Sequence, residues 1–466
     1  MIKDILHYTF HRENLEKFFI FLVFVFSLSL RLWKLDVVPA VINGDESESI
    51  ISAVKIFLHK NAGPFELAHD LSVSYIAFYP KVIVLAVLGL EHSLLAVRLS
   101  TALMSLMSLV VFYLLLRLWA QRLTAGLMTL AFSCSYWFLN FSRLSWIAMD
   151  SVFWGLCLLL FTERMFKKNE KKYFFLNGLF SALTLYNYMG GRIYVVAVSL
   201  ALFWWLIFQK EVRFPNKLKR IGLYFLVVFV LFLPQLSQIL KHSQAYSLRA
   251  RSLWVFGRQE EYYNLHPNNF FKILLHQIEY SVRGFLLFDP SVSAEGIENQ
   301  RLIPPHRGAV DWLTVAFFWV GLCVSLTKGR KKTLWLTIYF LNILLLQIPS
   351  VFVPSWSRAL PVLPIVYLFA GVGVEELCRK LCKRSTLGTI ILSLIFICFS
   401  LKNVQIYWCW VVSDKFKSAQ QPTITLDELE RWQDAQITWM NAGKLPFTFY
   451  EWKNPLLFPQ LDSSFE

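Results

Sequence analysis

The chain has 466 residues, of which 56% are hydrophobic and only 17% charged, and its mean hydropathy is +0.49. An ordinary soluble domain, with about a quarter of its residues charged, is excluded, and a polytopic membrane protein is what remains. The net charge of +15 does not mark a nucleic-acid binder, because the lysines and arginines fall in short segments between apolar runs, where they act as topology determinants.

Apolar runs near the roughly 20 residues needed to cross a bilayer occur at 18–35, 94–116, 123–141, 145–162, 173–189, 192–208, 221–239, 309–327, 333–353, 359–376 and 386–405. No small-residue cleavage site follows the first run, so it is read as a membrane anchor. The run 71–90 carries Pro80 and Lys81 in its middle and fits a kinked, re-entrant or surface-lying helix as well as a span. If it does not cross, Lys3, Arg12 and Lys17 fall on the same face as the basic connectors at 117–122, 164–172, 210–220, 328–332 and 379–384. The positive-inside rule makes that face cytoplasmic. If it does cross, Asp45 lies inside and the rule is broken. The first arrangement predicts an all-α membrane domain over 1–405 with about 11 transmembrane helices, amphipathic helices in a first outer loop at 36–92, and a large outer loop at 240–308.

The remaining segment, 406–466, is an extracytoplasmic tail. Thr425 to Glu428 has the form of a capping box and Asn441-Ala-Gly443 that of a helix stop, with Leu429, Trp432 and Trp439 between them. Together with Trp408, Trp410 and Trp452 they predict a helix resting at the membrane interface. Of the seven cysteines, Cys134, Cys157, Cys323 and Cys398 sit inside apolar stretches. Cys378 and Cys382 have no second ligand pair, so neither a disulfide framework nor a zinc site is indicated.

Four groups at span ends carry the chemistry. Asn43-Gly-Asp-Glu46 begins an amphipathic helix, with Asn43 as its cap and Ile50, Ile51, Val54, Phe57 and Leu58 on its apolar face. Asp45 and Glu46 in its first turn either complement the helix dipole or do chemistry beside a lipid surface. Tyr186-Asn-Tyr188-Met-Gly-Gly-Arg192 puts a cation beside glycines that permit close approach of a backbone or ligand. Asn140-Phe-Ser-Arg143 is followed by Asp150, and the two charges form a salt bridge or a second acid with its partner. In Pro354-Ser-Trp-Ser-Arg358-Ala-Leu-Pro361 a guanidinium stands at headgroup depth, suited to bidentate bonding of a lipid phosphate. The loop 240–308 supplies Arg301 and His306 for an acceptor pocket. No nucleophile triad, P-loop or His-rich metal signature is present.

The order Arg31-Leu-Trp-Lys-Leu, Pro39, Gly44-Asp-Glu46, then Phe141-Ser-Arg143, Tyr186 to Arg192, Asp311-Trp-Leu and Ser357-Arg-Ala-Leu-Pro361 resembles bacterial membrane glycosyltransferases of the family 39 type. These are relatives of protein O-mannosyltransferases and of lipid A aminoarabinose transferase. The resemblance implies a GT-C fold in the bacterial cytoplasmic (inner) membrane, with the N-terminus inside and the active site outside, using a polyprenyl-phosphate-linked sugar as donor. On that likeness Asp45 is the general base, Glu46 its support, Asp150 a second outer-loop acid, Arg192 and Arg358 hold the donor phosphate, and Tyr188 lines the site. A base on the attacking side and cations on the departing phosphate suit direct displacement with inversion. Some relatives place a divalent metal between acids, whereas Asp45 and Glu46 are adjacent, so metal dependence is left open. The Ser47-Glu-Ser49 stretch departs from the family pattern, so the acceptor, whether glycolipid, glycan or protein, is not transferable. A flippase of lipid-linked sugars, or an inactive scaffold of a glycan assembly complex, is the alternative. Transporters tend to carry mid-membrane charges and paired halves, whereas here the informative charges lie at span ends on one face and no half-to-half similarity is visible.

Overall fold

The computed structural model describes residues 2–58, 63–68, 73–209, 212–243, 254–257, 269–293, 300–328, 333–351, 353–382, 386–419, 423–425, 431 and 435. The first ten α-helices are α1 (Ile2–Leu32), α2 (Gly44–Phe57), α3 (Tyr79–Leu88), α4 (Ser93–Leu116), α5 (Arg122–Ser133), α6 (Tyr136–Arg143), α7 (Ile147–Lys168), α8 (Lys171–Tyr186), α9 (Arg192–Phe208) and α10 (Phe214–Lys241). The later apolar helices are Trp312–Lys328, Thr333–Asn342, Leu363–Cys382 and Thr386–Val411. Strands β1 (Val41–Asn43) and β2 (Thr423–Thr425) form a two-stranded antiparallel sheet.

The expected apolar runs coincide with helices, and the chain is an integral membrane protein, but eleven uninterrupted spans are not what the helices give. Among the described residues five are long and apolar enough to cross, or six when the bent pair α6–α7 is taken as one. Trp312–Thr327 and Leu334–Gln347 are apolar but shorter. The run 123–141 is not one span: it breaks after Ser133 into α5 and α6, and α6 meets α7 at a bend of 115°. Serines around these breaks supply local alternatives to helical bonding, as where Ser142 Oγ donates to Leu139 O at 2.7 Å.

In the run 71–90 the helical part, Tyr75–Leu88, rises about 21 Å at ~1.5 Å per residue, short of the ~30 Å hydrocarbon core. Lys81 on one side of α3 is fully buried, while Ile83 and Val87 on the other are exposed.

The core is the inner bundle of α4 to α7 with the helix Leu363–Cys382, buried along most of its length. Close approach there depends on small residues: a Cβ on Gly321 would collide with the Phe369 carbonyl and one on Gly373 with the Phe317 carbonyl, so these two helices cross backbone to backbone. By contrast α9 and α10 expose Phe203, Trp204, Phe208, Leu226 and Phe229, as helices facing lipid tails do.

Trp408 lies under the Arg143 guanidinium, 4.8 Å from its carbon, and buried Trp410 packs edge-on against Phe416. Glu428, Leu429, Asn441 to Gly443 and tryptophans 432, 439 and 452, which carry the rest of the tail expectation, lie outside the described residues.

Candidate active site

Strand β1 runs directly into α2. Asn43 caps the helix, its Oδ1 accepting from Glu46 N at 2.8 Å, which satisfies one of the four orphan donors of the first turn. Consecutive residues at a helix start point in different directions, and the two acids separate accordingly.

Glu46 is fully buried. Its two oxygens accept from Arg98 Nε at 2.8 Å and Nη2 at 2.9 Å, and Oε1 also accepts from Ser145 N at 3.0 Å. Arg98 Nη1 donates to Leu35 O at 3.1 Å. The pair therefore joins the exit of α1, the start of α2, α4 and the break between α6 and α7. Glu46 has the surroundings of a scaffold residue, sealed away from any acceptor.

Asp45 is the accessible acid, with its side chain 30% exposed, and Arg301 Nη2 lies 3.1 Å from its Oδ2. Arg301 is fixed in turn: Asn140 Nδ2 donates to the carbonyls of Arg301 and Leu302 at 3.1 and 3.2 Å, and its guanidinium carbon sits 5.7 Å from the Trp146 ring centroid. Trp146 stacks on Phe141 at 5.2 Å and meets Tyr188 edge-on at 6.1 Å. The Asp45 group and the Tyr188 group thus share one aromatic wall. His306 is exposed in a turn of positive φ five residues beyond Arg301.

The Tyr186 to Arg192 segment and the Ser357 to Pro361 segment pack on each other. A Cβ on Gly190 would lie 2.7 Å from Arg358 O and 3.2 Å from the Pro361 ring, and Tyr194 OH donates to Pro361 O at 2.6 Å. Only glycine permits that approach, which brings the start of α9, and Arg192 with it, against the turn Trp356–Ala359. Arg358 itself is buried, with Nη1 donating to Ser350 Oγ and, at 2.9 Å, to Val351 O.

The expected Arg143–Asp150 ion pair does not form. Arg143 is buried and donates to the carbonyls of Leu30, Arg31, Trp33, Lys34 and Val38 at 2.7 to 3.3 Å, tying the end of α1 to α6. Asp150 instead pairs with Lys81 Nζ at 2.7 Å, both side chains wholly buried. The bend between α6 and α7 turns the two apart, and α3 brings a cation to the acid. Lys81 and Arg98 were not expected at the site, although each is a lone cation in an apolar run, which in a low dielectric requires an acid.

Losing one partner of such a pair strands a charge. Lys81→Met is expected to cost about 3–5 kcal/mol and to lower the melting temperature in detergent, while Lys81→Met with Asp150→Leu recovers most of it. Equal melting of single and double variants contradicts the buried pair.

No group of three His, Cys, Asp or Glu side chains converges among the described residues. Asp45, Glu46 and Asp150 each face a cation.

No family model and no curated protein matches the sequence. Solved structures do resemble the fold. ArnT from Cupriavidus metallidurans bound to undecaprenyl phosphate aligns with a TM-score of 0.52 and 11% identity, over 93% of this chain and 73% of that one. The Archaeoglobus fulgidus oligosaccharyltransferase in its apo form aligns at 0.53 and 13%, over 91% of this chain and 58% of that one. AglB from the same organism, in complex with an inhibitory peptide and a dolichol-phosphate, aligns at 0.54 and 14%, over 93% and 58%. The chain spans less than two thirds of the archaeal proteins. Over nearly its whole length, this chain shares the overall fold of these solved structures.

Proposed function

We propose that the protein is a glycosyltransferase that moves a sugar from a polyprenyl-phosphate-linked donor to an acceptor hydroxyl on the extracytoplasmic side of the bacterial inner membrane. One observation carries the reading: the accessible carboxylate of Asp45 stands on Arg301 behind the same aromatic wall as Tyr188, whose segment packs on Arg358 and starts the helix of Arg192. An acid and cations at one end of a membrane bundle are what displacement of a lipid phosphate requires.

In the proposed step the acceptor oxygen attacks the anomeric carbon, the carbon–oxygen bond to phosphate breaks, the hydroxyl proton passes to Asp45, and the electron pair leaves on the phosphate. Negative charge grows on the departing phosphate, where Arg192 and Arg358 stabilise it. Glu46 keeps α2 in place through Arg98, and the buried Asp150 serves the scaffold. Direct attack inverts the anomeric centre. Along α9 beyond Arg192, an apolar cleft of about 590 Å³ lined by residues from Val195 to Leu206 and by Ile221 and Phe225 opens between α9 and α10. It gives the isoprenoid a path beside the site.

The test is to incubate purified protein in proteoliposomes with polyprenyl-phosphate sugars labelled in the sugar, together with membrane extract. The expected result is a new labelled product distinct from the donor. Label that stays wholly on the donor overturns the assignment, and label that only changes leaflet identifies a flippase.

A further inference from the structure

The C-terminal segment returns to the strand that aims Asp45. Helix Thr386–Val411 is anchored at this end of the bundle, with Trp408 under Arg143 and Asn403 Nδ2 donating to Asp311 Oδ2 at 3.1 Å. Beyond it β2 pairs antiparallel with β1 in the register Val41 to Thr425, Ile42 to Ile424 and Asn43 to Thr423. The last of these faces the cap residue of α2, two positions before Asp45.

A second contact is independent of the first. Ala435, 1% exposed, belongs to the apolar cluster of Ile42, Ile50, Ala53, Leu85, Leu94 and Val97, which joins β1 to the underside of α2, α3 and α4. The tail thus holds β1 edge-on through the backbone and fills the cluster beneath the helix that β1 starts.

A strand of three residues has no stability of its own, and even a full hairpin is marginal in water. Without β2 the backbone groups of Val41 to Asn43 lose their ladder, and the entry into α2 is held only from the far side, by Ile42 in its cluster and by the Glu46–Arg98 pair. We infer that the C-terminal segment after the last membrane helix is a positioning element for sugar transfer, its strand Thr423–Thr425 fixing the backbone that orients Asp45. The inference rests on Asp45 being the base. The tail is assigned no contact with donor or acceptor. Its loss therefore lowers turnover and leaves donor affinity alone, since a base displaced by about 1 Å costs on the order of 10²-fold while binding groups elsewhere are untouched.

The test replaces Thr423, Ile424 and Thr425 by proline in the full chain, removing every N–H of β2, beside a conservative variant with Thr423→Val and Thr425→Val. Hydrogen exchange at residues 41–43, donor KM and kcat are measured for both. The proline variant is expected to exchange freely at 41–43, with kcat down about 10- to 100-fold and donor KM within about twofold, while the valine variant keeps protection and turnover. Full turnover with protection lost overturns the inference, as does a parent chain that exchanges freely at 41–43. Should the proline variant fail to fold, a Val41→Cys, Thr425→Cys chain keeps the question open to test, because the register requires these two to cross-link and the oxidised protein to stay active. Absence of the cross-link, or its formation with loss of turnover, overturns the inference. A parent chain that transfers no sugar refutes the role of Asp45 separately, because the exchange data still report the strand pairing.

Discussion

Asp45→Asn is expected to abolish measurable sugar transfer while leaving the protein folded and membrane-inserted. Asparagine keeps the volume of aspartate and its place after the Asn43 cap, so α2 still forms, and only the capacity to take a proton is lost. General-base assistance is worth about 10²- to 10⁴-fold, and the rate of product formation is expected to fall within or beyond that range, with donor affinity unchanged. The asparagine Oδ1 can still accept from Arg301, so the partly exposed ion pair becomes a neutral-acceptor hydrogen bond and Arg301 keeps a partner. Melting should therefore move by no more than a degree or two, and transfer at parental rate by this variant rejects the assigned base.

Arg98→Met has the opposite signature. Glu46 would then be left fully buried with Ser145 N as its remaining partner across the α6–α7 break, and an unpaired buried carboxylate costs about 3–5 kcal/mol. The bidentate pair also reaches Leu35 O, so four chain segments lose a common node. The variant is expected to melt several degrees lower in detergent and to accumulate poorly, and pairing it with Glu46→Gln should restore much of the loss. Measured by thermal unfolding of the purified proteins, a single variant as stable as the parent would mean that the pair does not hold the site together. Comparing the two experiments separates the roles proposed for the adjacent acids, with the charge of Asp45 expected to govern turnover and that of Glu46 stability.

What the sequence made legible was local. The apolar runs, the Asn43 cap and the first-turn acids depend on residues within a few positions of one another, and each is found where periodicity and capping put it. The glycine pair before Arg192 likewise announced a close backbone approach, now seen against Arg358. The ion pairs were not legible, because they join residues 52 and 69 positions apart in Glu46–Arg98 and Lys81–Asp150, and nothing in either segment names its partner. A rule that every cation inside an apolar run must find an acid would have flagged Arg98 and Lys81, though not which acid each finds. Asp150 seemed to belong to Arg143 because the two are seven positions apart, yet the bend of 115° between their helices separates them. That bend is hidden in composition, since Leu144, Ser145 and Trp146 interrupt an otherwise apolar stretch only mildly. The approach of β2 to β1 is the longest-range feature of all and rests on backbone pairing, which side-chain patterns record weakly.

If a sugar–phosphate bond is broken at the Asp45 end of the bundle, the leaving group can be counted. Purified protein in proteoliposomes is supplied with a polyprenyl-phosphate sugar and acceptor-containing extract, and free polyprenyl phosphate is quantified by mass spectrometry against sugar incorporated. One polyprenyl phosphate is expected for each sugar transferred, with both signals absent in Asp45→Asn. Donor recovered intact, whether or not it has crossed the bilayer, would contradict that expectation.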